Sequence, residues 1–295
     1  MTENKLKNLG RIGLFSAAML WGVSFVLMKN VVANIQPFYI FSIRLCAAAL
    51  VLLPFCAHKL KRLDKSYLLG GALMGAALLL GYMFQTFGLR LTTPGKNAFL
   101  TSVYCVMVPF LYWAYARRKP DRFNAIAAVT CIAGIGFISL DGDLRIGAGD
   151  ALTLVCGFFF AMHIVITARV VQGRDPVVLA MLQFAIGSVA AFVCAVIFEE
   201  APTSFATADL WSLAFLAIVS TGGCMLLQVF GQKYTPPSQA SVILALESVF
   251  GALSSVLLTH EILTPRLLLG FVLTFAAVII SETKLGFLKR NQKSS

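Results

Sequence analysis

Ten apolar runs, each close to the length of one bilayer crossing, follow one another at residues 12–31, 37–57, 67–91, 95–115, 123–140, 149–170, 177–198, 210–232, 238–259 and 265–283. A helix needs about 20 apolar residues to cross roughly 30 Å of hydrocarbon, so the pattern predicts an all-α membrane protein with ten transmembrane helices. Pro37, Pro94, Pro176, Pro237 and Pro265 stand at run starts, where the first helical turn has no internal partner for an N–H. With 59% hydrophobic and 13% charged residues and a mean hydropathy of +0.84, almost nothing remains for a soluble domain.

The net charge of +11 does not point to nucleic acid, because the basic residues sit in short groups between the runs and not on one amphipathic face. Counted on alternate sides of the ten runs, eighteen Lys and Arg fall with the N-terminus and five on the other side. The positive-inside rule then puts both termini in the cytoplasm, in a multi-pass protein of the inner or plasma membrane. The apolar start is expected to be an uncleaved first span. Seven isolated cysteines and three isolated histidines give no metal-ligand spacing, and no cofactor is expected.

The phrase Gln85–Gly95 (QTFGLRLTTPG) returns 143 residues later as Gln228–Ser238 (QVFGQKYTPPS). The first copy joins runs 3 and 4 and the second joins runs 8 and 9, so the repeating unit holds five spans. An odd unit reverses its direction through the membrane, an inverted repeat of the kind used for alternating access. The expected units are 1–143 and 144–287, followed by a short basic cytoplasmic tail, 288–295. A second register, Pro37 with Pro176, sets Ser24 against His163 and Arg44 against Gln183.

Leu20-Trp21-Gly22-Val23-Ser24-Phe25, the Arg44-Leu45 start of an Ala/Leu-rich run, the Gly88-to-Leu100 junction and Leu246-Glu247-Ser248-Val249-Phe250 resemble the EamA-type members of the drug/metabolite transporter superfamily. The resemblance covers essentially the whole chain. It implies ten spans in two inverted five-span repeats and the transport of amino acids, drugs or other metabolites. One departure is Ser248, where the family often has Pro.

Glu247 lies ten positions beyond Pro237, about 15 Å deep at 1.5 Å per residue. A carboxylate there has to be protonated, paired or wet, which makes it a candidate for binding substrate or a coupling proton; a hydrogen-bonded packing role is the alternative. Tyr104 is its counterpart in span 4. Arg44 either faces inward, to grip a substrate carboxylate or pair with Glu247, or snorkels outward. His163 is a candidate proton relay or a packing residue. Gln85, Gln228, Asn97 and Gln239 flank the repeated junctions and offer uncharged amides to a polar solute or to neighbouring helices. Trp21 and Ser24 of the span 1 motif complete the candidate set. Gly71 and Gly75 form a GxxxG suited to close packing within the monomer. Trp113 and Trp211 are expected as interfacial anchors.

Enzyme motifs are few. Gly147-Ala148-Gly149-Asp150 matches the GxGD of intramembrane aspartyl proteases, but no second buried Asp pairs with it. No GxSxG, HExxH or phosphate loop is present. The expectation is a non-enzymatic secondary transporter, an exporter of small polar or amphipathic metabolites such as amino acids. Drug or organic-cation export is the runner-up, and a membrane-embedded enzyme or lipid-handling protein the less favoured class.

Overall fold

A computed structural model describes residues 3–117, 119–139 and 146–283. Arg118, the loop residues Asp141, Asp143 and Arg145, and the basic tail 288–295 lie outside the described residues. Among the described residues eight helices are long and apolar enough to cross a membrane, and two shorter apolar helices, Arg122–Ile138 and Pro265–Ile280, bring the crossings to ten. The chain is an all-α membrane protein.

The first half comprises α1 (Glu3–Asn34), α2 (Pro37–Cys56), α3 (Lys65–Leu91), α4 (Pro94–Thr101), α5 (Tyr104–Ala116) and α6 (Arg122–Ser139). The second comprises α7 (Ala148–Val170), α8 (Pro176–Phe198), α9 (Thr207–Ala214), a π-helical stretch (Phe215–Gly223), α10 (Cys224–Tyr234), α11 (Pro237–Ala245), α12 (Glu247–Thr259) and α13 (Pro265–Thr283). Side-chain caps start several of them. Asp64 accepts from the Tyr67 N–H, Thr93 from Lys96, and Asp175 from Val177 and Val178, satisfying amides that a first turn leaves open.

The 143-residue offset recurs in the backbone. The ends of α3 and α10 fall at 91 and 234, α5 and α12 occupy 104–116 and 247–259, and α6 and α13 begin at 122 and 265. Arg117 and His260, also 143 apart, are the non-glycine residues with positive φ, at 53° and 55°, among the described residues. Such conformations are rare outside glycine, and here both close a helix.

The two halves interlock. α3 packs on α7 while α10 packs on α1, and α2 lies against α8 as α6 lies against α13. Each interface therefore maps onto another, or onto itself, when the halves are exchanged. Glycines set the first two: a Cβ on Gly88 would stand 2.8 Å from the Gly149 carbonyl oxygen, and one on Gly231 2.9 Å from that of Gly10. The GxxxG of α3 is used inside the molecule, Gly71 facing Leu182 and Gly75 facing Gln183 of α8. Leu50, Phe55, Val129, Ile197, Phe198 and Leu257 are exposed, as a lipid-facing surface requires. Trp113 and Trp211 are exposed near helix ends, where interfacial anchors belong.

Polar contacts gather at the two ends of the bundle. At one, Lys59 pairs with Asp175 at 2.6 Å. Burial pushes the Asp175 carboxyl up, but Lys59 and the Val177 and Val178 amides outweigh it and hold it below the usual carboxylate range. At the other, Glu199 accepts from the Phe38 and Tyr39 amides at the start of α2. Glu261 likewise accepts from the Gly95 amide at the start of α4. Asp150 of the GxGD match takes the Thr92 hydroxyl at 2.7 Å and Lys96 at 3.5 Å, a contact between crossings.

Gly75→Val tests the interlock. A Cβ at Gly75 would already stand 2.8 Å from the Gln183 carbonyl oxygen, so overpacking should cost about 1–3 kcal/mol and lower the Tm in detergent. Gly147→Ala, with nothing within 4 Å, should leave the Tm unchanged.

Candidate functional site

The fourth and ninth crossings each break in the middle, at matching places. In the fourth, Val103 N–H donates to Leu100 O, Val106 to Val103 O and Met107 to Val103 O, at 3.4, 3.0 and 3.3 Å. In the ninth the same three bonds run from Leu246 to Ile243, Val249 to Leu246 and Phe250 to Leu246, at 3.3, 3.0 and 3.2 Å. Two of each set close over three residues and not four, which tightens the turn and lets a new helix start. Carbonyls beside the breaks are taken by hydroxyls, Ser102 Oγ donating to Phe99 O at 2.8 Å and Ser248 Oγ to Ala245 O at 2.7 Å. Ser248 does this work where the resembling family often has Pro. Tyr104 and Glu247 are the first residues of the restarted helices, and a helix N-terminus favours a carboxylate.

Both residues face one cavity of about 60 Å³, room for a few water-sized groups. Trp21 and Ser24 of α1, Arg44 of α2 and Gln85 of α3 line it with them, as do His163 of α7 and Gln228 of α10. Eight residues singled out from the sequence thus meet on one wall although they come from seven helices. The Tyr104 hydroxyl stands beside the Glu247 carboxyl but completes no hydrogen bond of good geometry.

Arg44 does not snorkel; it is 4% exposed. Its Nε donates to Thr221 Oγ1 at 3.1 Å, Nη1 approaches Met28 Sδ at 3.5 Å, and the guanidinium lies 4.7 Å from the centre of the Tyr82 ring. Among the described residues no carboxylate pairs with it, Glu247 included. The cavity therefore carries an unpaired base and an unpaired acid. The π-helical stretch supplies the partner for Arg44: its wide turn lets Thr221 Oγ1 donate to Leu216 O, five residues back, at 2.7 Å. It also turns the Ser220 carbonyl toward Trp21 Nε1, which donates to it at 2.8 Å.

Asn97 is not brought to the cavity. It is fully buried between crossings, where Nδ2 donates to Gln85 O at 3.2 Å and to Thr153 Oγ1 at 2.7 Å. One turn inside α4 is too near the helix start to reach the break. Gln239 is exposed and meets Arg11 at 3.5 Å. Sequence reasoning missed Tyr82, Phe160, Ser220 and Thr221. Tyr82 was detectable, since it precedes Gln85 by three residues and so shares its helix face. The others depend on the π-helical stretch or on packing, for which only Gly222-Gly223 gave a local cue.

The model of the EamA-like transporter family matches residues 8–140 and again 147–283. This chain belongs to the EamA-like transporter family. It is 34% identical over 272 residues to a protein of Archaeoglobus fulgidus described as an uncharacterized transporter, covering 91% of this chain and 84% of that one. It is 24% identical over 278 residues to the uncharacterized transporter YoaV of Bacillus subtilis, covering 92% and 95%. A solved crystal structure at 15% identity superposes with a TM-score of 0.69 over 92% of this chain and 96% of that one, a likeness of fold. This EamA-like protein is a multi-pass membrane transporter for a small-molecule substrate, and these relatives too are described as transporters.

Thr221→Val keeps shape but removes the acceptor for Arg44 Nε. Leaving a buried charged N–H unsatisfied should cost about 1–3 kcal/mol, read as a lower Tm, whereas Ser212→Ala in α9 should have little effect.

Proposed function

We propose that this EamA-like transporter is a secondary exporter of a small zwitterionic metabolite, an amino acid in the first instance. The observation that carries the proposal is the pair Arg44 and Glu247: opposite charges on one mid-membrane cavity, not paired with each other. An unsatisfied buried charge is costly, and a solute bearing a carboxylate and an ammonium answers both. Arg44 takes the carboxylate through its planar two-pronged edge, and Glu247 takes the ammonium or, between solutes, a coupling proton. The units 1–143 and 144–287 rock against each other across the glycine contacts of α3 with α7 and α1 with α10, exposing the cavity to one side at a time. No ATP is used, and both termini are cytoplasmic.

Organic-cation export is the second reading, favoured by the position of Glu247 in the first turn of α12. The two are separated in proteoliposomes by efflux of labelled amino acids against efflux of tetraethylammonium. For amino-acid export, Arg44→Lys should lower affinity about tenfold through loss of one charge-assisted hydrogen bond. For cation export, Arg44→Gln should preserve or improve transport. Wild-type behaviour of both variants toward both probes would sink a solute-binding role for Arg44.

Glu247→Gln should abolish transport or its pH dependence without lowering expression or Tm; an unchanged rate and pH profile would reassign Glu247 to packing. Orientation is tested by cysteine labelling from outside, which should modify Thr203→Cys and spare Lys61→Cys, both exposed positions. The reverse pattern would overturn the topology.

A further inference from the structure

A buried chain of side chains, His163, Gln183, Gln228 and Gln232, runs from the cavity wall toward the end of α10. Its polarity follows from one fixed point. Gln232 Nε2 lies 3.0 Å from the carbonyl oxygen of Ile164, and a backbone carbonyl only accepts. Gln232 Oε1 must then be the atom turned to Gln228, whose Nε2 donates to it at 3.1 Å. The same Gln228 amide faces His163 Nδ1 at 3.5 Å, so Nδ1 has to be bare. The proton of the neutral ring therefore sits on Nε2, which donates to Gln183 Oε1 at 2.9 Å. Each assignment forces the next, and protonating Nδ1 would set N–H against N–H.

Both hydrogens of the Gln228 amide are used in this chain. Its Oε1 has no hydrogen-bond partner among the described residues and belongs to the cavity wall. Gln85, the counterpart 143 residues earlier, is not fixed in this way: its Nε2 meets Thr101 Oγ1 at 3.3 Å, and a hydroxyl can donate or accept.

We propose that His163 is a positioning residue, locked as the Nε2–H tautomer, whose network presents Gln228 Oε1 to the cavity as a fixed acceptor for an N–H donor of the solute. This rests on the cavity being the solute site, and it specifies the amino end of the solute. Gln228 and Glu247 both accept there, so an amine is selected over a carboxylate of the same shape. The other ionisable groups on the wall are Arg44, Tyr82, Tyr104 and Glu247; none hydrogen-bonds to His163, whose ring partners are Gln183 and Gln228. His163 then moves no proton during transport.

Nitrogen-15 NMR of the full-length protein in nanodiscs, with labelled histidine, tests the tautomer directly. His58 and His260 are exposed, and His58→Gln and His260→Gln assign the three signals across about pH 5 to 8. His163 should keep the signature of a bare Nδ1 and a protonated Nε2 over that range. In Gln232→Leu the anchor is lost and both tautomers should appear. A protonated Nδ1 in the parent, or an unchanged tautomer in Gln232→Leu, overturns the proposal.

A second arm measures binding, as Tm shifts, of a pool of glycine, alanine, valine, leucine, isoleucine and threonine and of a pool of their deaminated acids. Gln228→Leu should weaken the amino-acid pool about tenfold, the loss of one hydrogen bond, and leave the deaminated pool unchanged. Equal loss for both overturns amine recognition while the transport reading stands. Binding of neither pool by the parent overturns the solute reading and amine recognition together, with the NMR result still deciding the tautomer.

Discussion

Inside a bilayer every backbone N–H and C=O has to find its partner within the protein, because the hydrocarbon offers none. Unbroken helices meet that demand by themselves, as α1, α3, α7 and α8 do here. A break is tolerated only where the freed groups are satisfied again. The fourth and ninth crossings manage this with three-residue bonds around Val103 and Leu246 and with the hydroxyls of Ser102 and Ser248. What the break provides is a helix start at mid-membrane depth, and Glu247 occupies it. The dipole there favours a carboxylate that lipid would expel.

Close helix approach follows from the same absence of a solvent-driven force between helices in lipid: packing and small residues have to hold the bundle. Gly88 against Gly149 and Gly231 against Gly10 bring α3 to α7 and α10 to α1, while Gly75 brings α3 onto Gln183 of α8. Gln183 is the residue that meets His163, so helix packing and the polar cavity wall are one construction. The π-helical stretch couples them again, since it holds both Arg44 and Trp21. Buried polar side chains in this bundle are mostly engaged with other protein groups. Among the described residues Arg44 has no acid partner and Glu247 no basic one, and both line the cavity.

Much of the site was legible because depth in a transmembrane helix is nearly a linear function of position. Counting from Pro237 put Glu247 near the centre, and the 143-residue offset put Tyr104 opposite it; both face the cavity. Asn97 shows where counting fails. It belongs to the same repeated junction, but three positions from Pro94 its side chain faces α3 and α7, donating to Gln85 O and Thr153 Oγ1. The direction in which Arg44 points was undecided by depth alone, since its side chain is long enough to reach the surface. Packing under Tyr82 and Thr221 decides it.

The solvent, the number of crossings, the 143-residue recurrence and the depths of Glu247 and Arg44 could be read from residue order alone, because all of these depend on apolar length and spacing along one axis. Which depths meet is settled by packing between crossings. The helix breaks at Val103 and Leu246 leave no proline mark, the π-helical stretch is an alternative bonding of an ordinary apolar run, and rotation about each helix axis is set by which glycine meets which neighbour. Those choices depend on contacts between crossings far apart in the chain, where spacing within one helix carries no information.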